Sequence, residues 1–308
     1  MSDITDYPSN SSIALSGASV DPIAAERKTQ RLAIARRLLF VFPALLFMLG
    51  FFLYPLLKVL WLSFQQQDRL TYANYLHVIT DSLFQRVIAT TFSIGLTTTA
   101  ICLILAYPVA ALLASVEAKI GSRLMFLVLV PFWTGDLVRT YAWTVLLQRN
   151  GILNNWLLQW GVIDNPLDLM FNRFGVIVGS VHVLLPYMIF PLYSVMAGID
   201  LRLLHASAIL GAGPIRTFLR VYLPLTWPGI AAGSLVVFIL SIGFFITPAL
   251  MGGRQDIMVA NLIELEIREL LNWPLAAALA FVLLGATLLL FGAAVRWLGI
   301  SRIWRGLK

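Results

Sequence analysis

Residues 205–230 read HASAILGAGPIRTFLRVYLPLTWPGI, a polar stretch set between two long apolar ones. His205 to Leu210 can form one short helix. Gly211 and Gly213 then permit a sharp turn, because glycine reaches positive φ without steric cost. Pro214 fits the first turn of a second helix, where its missing N–H is no loss. Ile215, Phe218, Leu219 and Tyr222 recur at helical spacing and form an apolar stripe. Arg216 and Arg220 lie one turn apart and carry positive charge. Leu223-Pro224 is expected to end that helix, and Trp227-Pro228-Gly229 to lead into the next apolar span. The stretch reads as a helix-turn-helix loop at a membrane surface.

The rest of the chain explains why a membrane is invoked. Of 308 residues, 59% are hydrophobic and only 12% charged, against about 25% charged in an average soluble domain. A soluble core cannot hide that much apolar surface, whereas a polytopic helical protein meets lipid with it. The net charge of +7 does not indicate nucleic-acid binding, since the basic residues sit at the ends of apolar runs. The single cysteine, Cys102, lies inside an apolar run and is expected to pack there; it supports no disulfide framework or metal cluster.

Residues 1–37 lack periodicity, are rich in Ser, Asp, Ala and Pro, and read as a disordered tail closed by a basic run. Apolar sequence from Leu38 to Phe64 is too long for the h-region of a signal peptide and reads as a retained first span. Five more spans are expected at about 88–116, 123–147, 174–197, 229–252 and 275–297, each near the roughly 20 residues a bilayer requires. In the last span Gly285, Ala286, Gly292 and Ala293 would let neighbouring helices approach. Residues 298–308 form a short basic tail. With the N-terminus inside, fourteen Lys and Arg fall on the inner side and six on the outer. This places both termini, and the loop at 199–228, in the cytoplasm.

The motifs in order resemble those of ABC-transporter permease subunits, the inner-membrane components of binding-protein-dependent importers. Their "EAA" loop reads E-A-A, then L-G-A, F, V, L-P and P-G-I. This chain supplies Ala206, Leu210-Gly211-Ala212, Phe218, Val221, Leu223-Pro224 and Pro228-Gly229-Ile230, with Asp200 in the lead-in. His205 stands where Glu is usual and Ser207 where Ala is usual. Residues 131–134, 139–143, 245–250 and 273–276 look like the spermidine/putrescine-type branch. The resemblance implies an all-α polytopic protein of the bacterial inner membrane, with six spans and a cytoplasmic coupling loop. His205, Ala206, Leu210, Gly211, Ala212, Phe218, Leu223 and Pro224 would meet ABC ATPase subunits. A second permease subunit, identical or homologous, would complete the pathway, and an extracytoplasmic solute-binding protein would deliver a small cation such as a polyamine. The loop's bland reading is an ordinary interfacial helix pair; the ordered Gly, Pro and aromatic spacing favours coupling.

Inside the third span, Asp136 and Arg139 are three residues apart on nearly the same helix face. Charges at such depth are costly and face a bundle interior or a wet cavity. They read either as part of a translocation pathway, with Trp133, Tyr141 and Trp143 adding aromatic faces suited to cations, or as a self-neutralising structural pair. His182 reads as a packing residue. Glu264 and Glu266, beside Arg268 and Glu269, read as a solvated charge run in an outer loop. No P-loop, no H-E-x-x-H and no clustered Cys/His ligands occur, so neither catalytic residues, a metal nor a cofactor is expected. A secondary transporter would show an internal repeat with matching interrupted helices, and no second copy of the 205–230 loop is evident.

Overall fold

The computed structural model describes residues 42–66 and 69–297. The two tails and Leu38–Val41 lie outside the described residues. Two compact units divide between Lys58 and Val59, within the first long helix, α1 (Phe42–Ser63). A two-residue-per-strand hairpin follows, β1 (Gln65–Gln66) antiparallel to β2 (Arg69–Leu70). The Asn74 side chain donates to the carbonyls of Ser63 and Gln65 at 3.0 Å each and holds the hairpin. The other helices are α2 (Ala73–Thr80), α3 (Ser82–Ser115), α4 (Ala118–Leu129), α5 (Asp136–Leu147), α6 (Ile152–Gln159), α7 (Arg173–Met196) and α8 (Leu201–Ile209). After them come α9 (Pro214–Ile242), α10 (Ile246–Met251), α11 (Val259–Arg268) and α12 (Trp273–Trp297).

Among the described residues five helices are long and apolar enough to cross a membrane, and six if the bent pair around residues 134–135 counts as one span. The all-α polytopic architecture thus matches the expectation from composition, while two expected spans change. The first change is in the third span, which is not one helix. A 3-10 turn at Val130–Trp133 is followed by two extended residues, Thr134 (ψ 136°) and Gly135 (ψ 149°). The halves meet at 88°. Asp136 and Arg139, expected near the middle of a continuous helix, instead open the second half. Pro131 and Gly135 supply the cause: one lacks a donor and the other has no side chain to hold helical backbone.

The second change is in the fifth span. Leu223-Pro224 does not end the loop's second helix; that helix runs unbroken into the membrane as α9. A π-turn at Phe218–Tyr222 carries Leu223 N–H back to the Phe218 carbonyl. The widened turn accommodates the proline that would otherwise clash with the preceding turn. The same arrangement, a π-turn at Leu49–Leu53, precedes Pro55 in α1. The helix ends at Gly243 instead, and residues expected to complete the span form the separate α10.

Inside a membrane, packing rather than water exclusion draws helices together, and small residues permit it. The centre is formed by α3, α7 and α9, around Cys102, Ala106, Ala110, Met188, Leu192 and Val237. Cys102 is fully buried there, as its apolar setting indicated. Gly229 and Gly233, one GxxxG step, bring α9 onto α7: a Cβ on Gly233 would lie 2.8 Å from Met188 Sδ, and one on Gly229 3.1 Å from the Pro191 carbonyl. The glycines of α12 are not used this way among the described residues, since a Cβ on Gly285 or Gly292 would meet nothing within 4 Å. Three hydroxyls of α3 bond to the preceding turn, Thr91 to the Val87 carbonyl at 2.8 Å, Thr97 to Ser93 at 2.8 Å and Thr99 to Gly95 at 2.7 Å, while that of Thr98 has no partner among the described residues. Thr91 also accepts the Val259 N–H at 2.9 Å, pinning the start of α11 to α3.

Candidate functional site

Asp200 caps α8 by accepting the Arg202 N–H at 2.9 Å. The helix therefore starts at Leu201, earlier than the His205 expected from sequence. It ends in the turn, where Gly211 has φ +80°, a region that disfavours any residue with a Cβ. Ala212 N–H returns to the Ser207 carbonyl at 3.1 Å. Ser207, which departs from the family pattern, has a structural part: its hydroxyl meets Thr217 Oγ1 at 2.7 Å and ties the two arms of the loop together. A polar side chain in an otherwise apolar position was the signal for that tie.

The loop turns apolar and basic groups outward together. Ile209 is 85% exposed, Leu210 87% and Ile215 75%, and His205, Ala206, Gly211, Arg216 and Arg220 are exposed as well. A shallow concavity of about 640 Å³ lies along Gly213–Arg216 and Leu219–Arg220. Exposed aliphatic clusters of this kind mark contact surfaces. Phe218 instead faces partly inward, edge-on to Tyr107 of α3 with ring centroids 6.0 Å apart. Tyr107 Oη in turn meets Thr226 Oγ1 at 3.1 Å. Leu223 is half-buried and Pro224 exposed within α9. The eight loop residues singled out from sequence therefore divide into an outward surface, His205 to Ala212, and the root of a membrane helix, Phe218 to Pro224.

The five residues of the candidate pathway divide too. Asp136, Arg139 and Trp143 lie on the face of α5 that meets its neighbours. Arg139 Nη2 donates to Asp136 Oδ1 at 2.5 Å, and Nη1 approaches the Val183 carbonyl of α7 at 3.5 Å. The Arg139 side chain is 6% exposed and the Asp136 side chain 41%. Trp143 Nε1 donates to His182 Nδ1 at 2.8 Å, which leaves Nε2 to carry the proton of a neutral ring. Thr140 Oγ1 meets Thr247 Oγ1 of α10 at 2.8 Å. This face is thus a bonding face between α5, α7 and α10. Tyr141 and Trp133 point away from it, 65% and 77% exposed.

One acidic residue is placed differently from expectation. Glu264 pairs with Arg268 at 3.0 Å on the surface of α11, as a solvated charge run would. Glu266 is only 5% exposed, because the apolar face of α11 carries Val259, Leu262 and Glu266 at helical spacing. Its Oε2 has no hydrogen-bond partner among the described residues. Burial pushes its carboxyl above the usual carboxylate range, opposed by weaker pulls from His77 and from an Asn272 hydrogen bond.

The sequence model of the family described as "Binding-protein-dependent transport system inner membrane component" matches residues 70–298. The spermidine/putrescine transport system permease protein PotB of Escherichia coli (strain K12) is 38% identical over 254 residues, 79% of this chain and 92% of that protein. PotB of Haemophilus influenzae is 37% identical over 270 residues, 85% of this chain and 91% of that one. In fold, the chain is similar to a bacterial alginate ABC transporter crystallised with an alginate pentasaccharide-bound periplasmic protein. The TM-score is 0.69 at 15% identity, covering 88% of this chain and 95% of that one. Long apolar helices, an exposed loop rooted in one of them, and a family match across most of the chain agree: the chain belongs to the binding-protein-dependent transport system inner membrane components, the permease subunits of ABC importers.

Proposed function

We propose that this permease, paired with a second permease subunit, forms the pathway for a small organic polycation of the spermidine/putrescine class. The observation that carries the substrate class is the 38% identity over 254 residues with a spermidine/putrescine permease. The solute arrives on an extracytoplasmic binding protein, and two copies of a separate ATPase drive the cycle from the cytoplasm. The ATPase docks on the surface from His205 to Arg220, where exposed Ile209, Leu210 and Ile215 give apolar contact and Arg216 and Arg220 give charge. Coupling is mechanical. Because Pro214–Ile242 is one helix, a push on Ile215 or Arg216 acts on a rod that enters the membrane. Contacts at Gly229 and Gly233 pass the motion to α7.

A related importer for another small solute is the second reading. It is favoured by the Asp136–Arg139 pair, which weakens the pull that the carboxylate alone would exert on a cation. The test is reconstitution of the tagged chain with its co-purifying subunits into liposomes, with ATP inside and binding protein outside. Uptake of labelled spermidine or putrescine is expected to require both ATP and binding protein. A complex that hydrolyses ATP yet takes up neither polyamine refutes the substrate class; purification without any ATPase refutes the docking role.

A further inference from the structure

We propose that the break Trp133–Asp136 in the third span is a water-filled station of the solute pathway, offering acceptor groups to a cation. The inference rests on the permease reading above and concerns which face of the chain the solute passes. The break lies at mid-depth. On one side of it Phe132 packs on Tyr187, ring centroids 5.3 Å apart; on the other Arg139 reaches the Val183 carbonyl. Val183 and Tyr187 are near the centre of the 24-residue α7.

Backbone at that depth must be bonded, buried in protein or wet. Here it is bonded only in part, by the Thr134 N–H to the Pro131 carbonyl at 3.2 Å and by the Val138 and Arg139 N–H groups to the Gly135 carbonyl, and it is not buried. No side chain caps α5 at Gly135. Among the described residues the Gly135 N–H donates to no backbone group and the Thr134 carbonyl accepts from none. Phe132, Trp133, Thr134 and Gly135 are all exposed. Lipid would leave those groups unsatisfied, so water or a partner chain must face them.

The Asp136 carboxylate decides between the two. Arg139 engages Oδ1, yet the side chain remains 41% exposed. A dry protein contact would strand that charge, whereas water solvates it. Within four consecutive residues stand a carboxylate oxygen, a free carbonyl and the exposed Trp133 ring, three groups that favour an ammonium ion. Arg139, together with the positive end of α5, keeps the attraction weak. Weak attraction suits a station that a solute must leave again.

Cysteine accessibility in the assembled complex tests this. In a Cys102→Ala background, Trp133→Cys and Thr134→Cys are compared with Ile104→Cys and Leu289→Cys, which replace residues 70% and 77% exposed on continuous span helices. The probes are charged methanethiosulfonates, one cationic and one anionic, each rate normalised to a free thiol. Positions 133 and 134 are expected to react at least tenfold faster than both controls, and faster with the cationic probe. Rates at 133 and 134 no higher than the controls overturn the wet station. Fast but charge-blind reaction overturns its preference for cations. The readout needs no transported solute, so a failed polyamine uptake assay and a failed labelling pattern are distinguishable.

Discussion

Gly211 shows how much one residue can carry. Its φ of +80° is open to glycine, while a side chain there costs on the order of 1–3 kcal/mol. An added Cβ would touch nothing within 4 Å, so Gly211→Val acts through backbone strain alone. Expression and membrane insertion should stay near wild type while ATPase pull-down or transport-coupled hydrolysis is lost; full retention of both would remove the turn from the mechanism. The Asp136–Arg139 pair makes a second case. Removing Asp136 leaves a guanidinium 6% exposed with one distant carbonyl, and an orphaned buried charge typically costs about 3–5 kcal/mol. Asp136→Asn should lower the yield of folded protein in detergent, and adding Arg139→Gln should recover much of it. A double mutant as unstable as the single one would refute the structural pairing. Glu266 adds a pH dependence. Its folded pKa is raised, so the stability it contributes is fully present below the unfolded carboxylate pKa and fades as pH rises through the folded value. Thermal unfolding of the wild type should weaken over that window, and Glu266→Gln should flatten the decline. An unchanged slope in the variant would assign the dependence elsewhere.

At the scale of elements, glycine pairs in two apolar spans have opposite consequences. Gly229 and Gly233 on α9 meet α7 so closely that an added Cβ at either lies within 3.1 Å of a neighbouring atom. Gly285 and Gly292 on α12 face open space. Gly229→Leu should therefore force α7 and α9 apart and sharply reduce the monodisperse peak in size-exclusion chromatography. Gly285→Leu should leave the isolated chain's profile unchanged. Equal damage from both would mean that the α7–α9 contact does not govern folding. The π-turns before Pro55 and Pro224 teach a related lesson. A proline in an apolar run suggests an end, yet one widened turn lets the helix continue. In the 205–230 loop this turns an expected helix end at Leu223-Pro224 into a helix continuous from Pro214 to Ile242.

For the whole molecule, the orientation we propose rests on charge. Fourteen basic residues against six are expected to set the even-numbered connections, including 199–227, in the cytoplasm. Ser122 and Asn165 are both exposed and lie on opposite sides of the third span. Cysteines placed there in a Cys102→Ala background should label from opposite faces of sealed vesicles with an impermeant maleimide. Labelling of both from one face would overturn the topology.

Length, apolar runs and the loop motifs determined that the chain is an all-α membrane protein of this family, and where nearly every span lies. Those features are local: about 20 apolar residues suffice to insert a helix whatever it packs against. Gly211 was legible for the same reason, because a tight turn between two short helices calls for positive φ at the turn itself. Only the tertiary structure decided the rest. Pro131 and Gly135 are visible as breakers, but that they bend a span by 88° depends on α5 finding α7 and α10 through Arg139, Trp143 and Thr140. Tyr141 was grouped with Asp136 for the aromatic face it could offer a cation, yet five residues along a helix turn it about 140° away, to the exposed side. Glu266 was read as solvated because its neighbours are charged. Its burial follows from the apolar face it shares with Val259 and Leu262, and which face of a helix is covered is fixed by its neighbours in space.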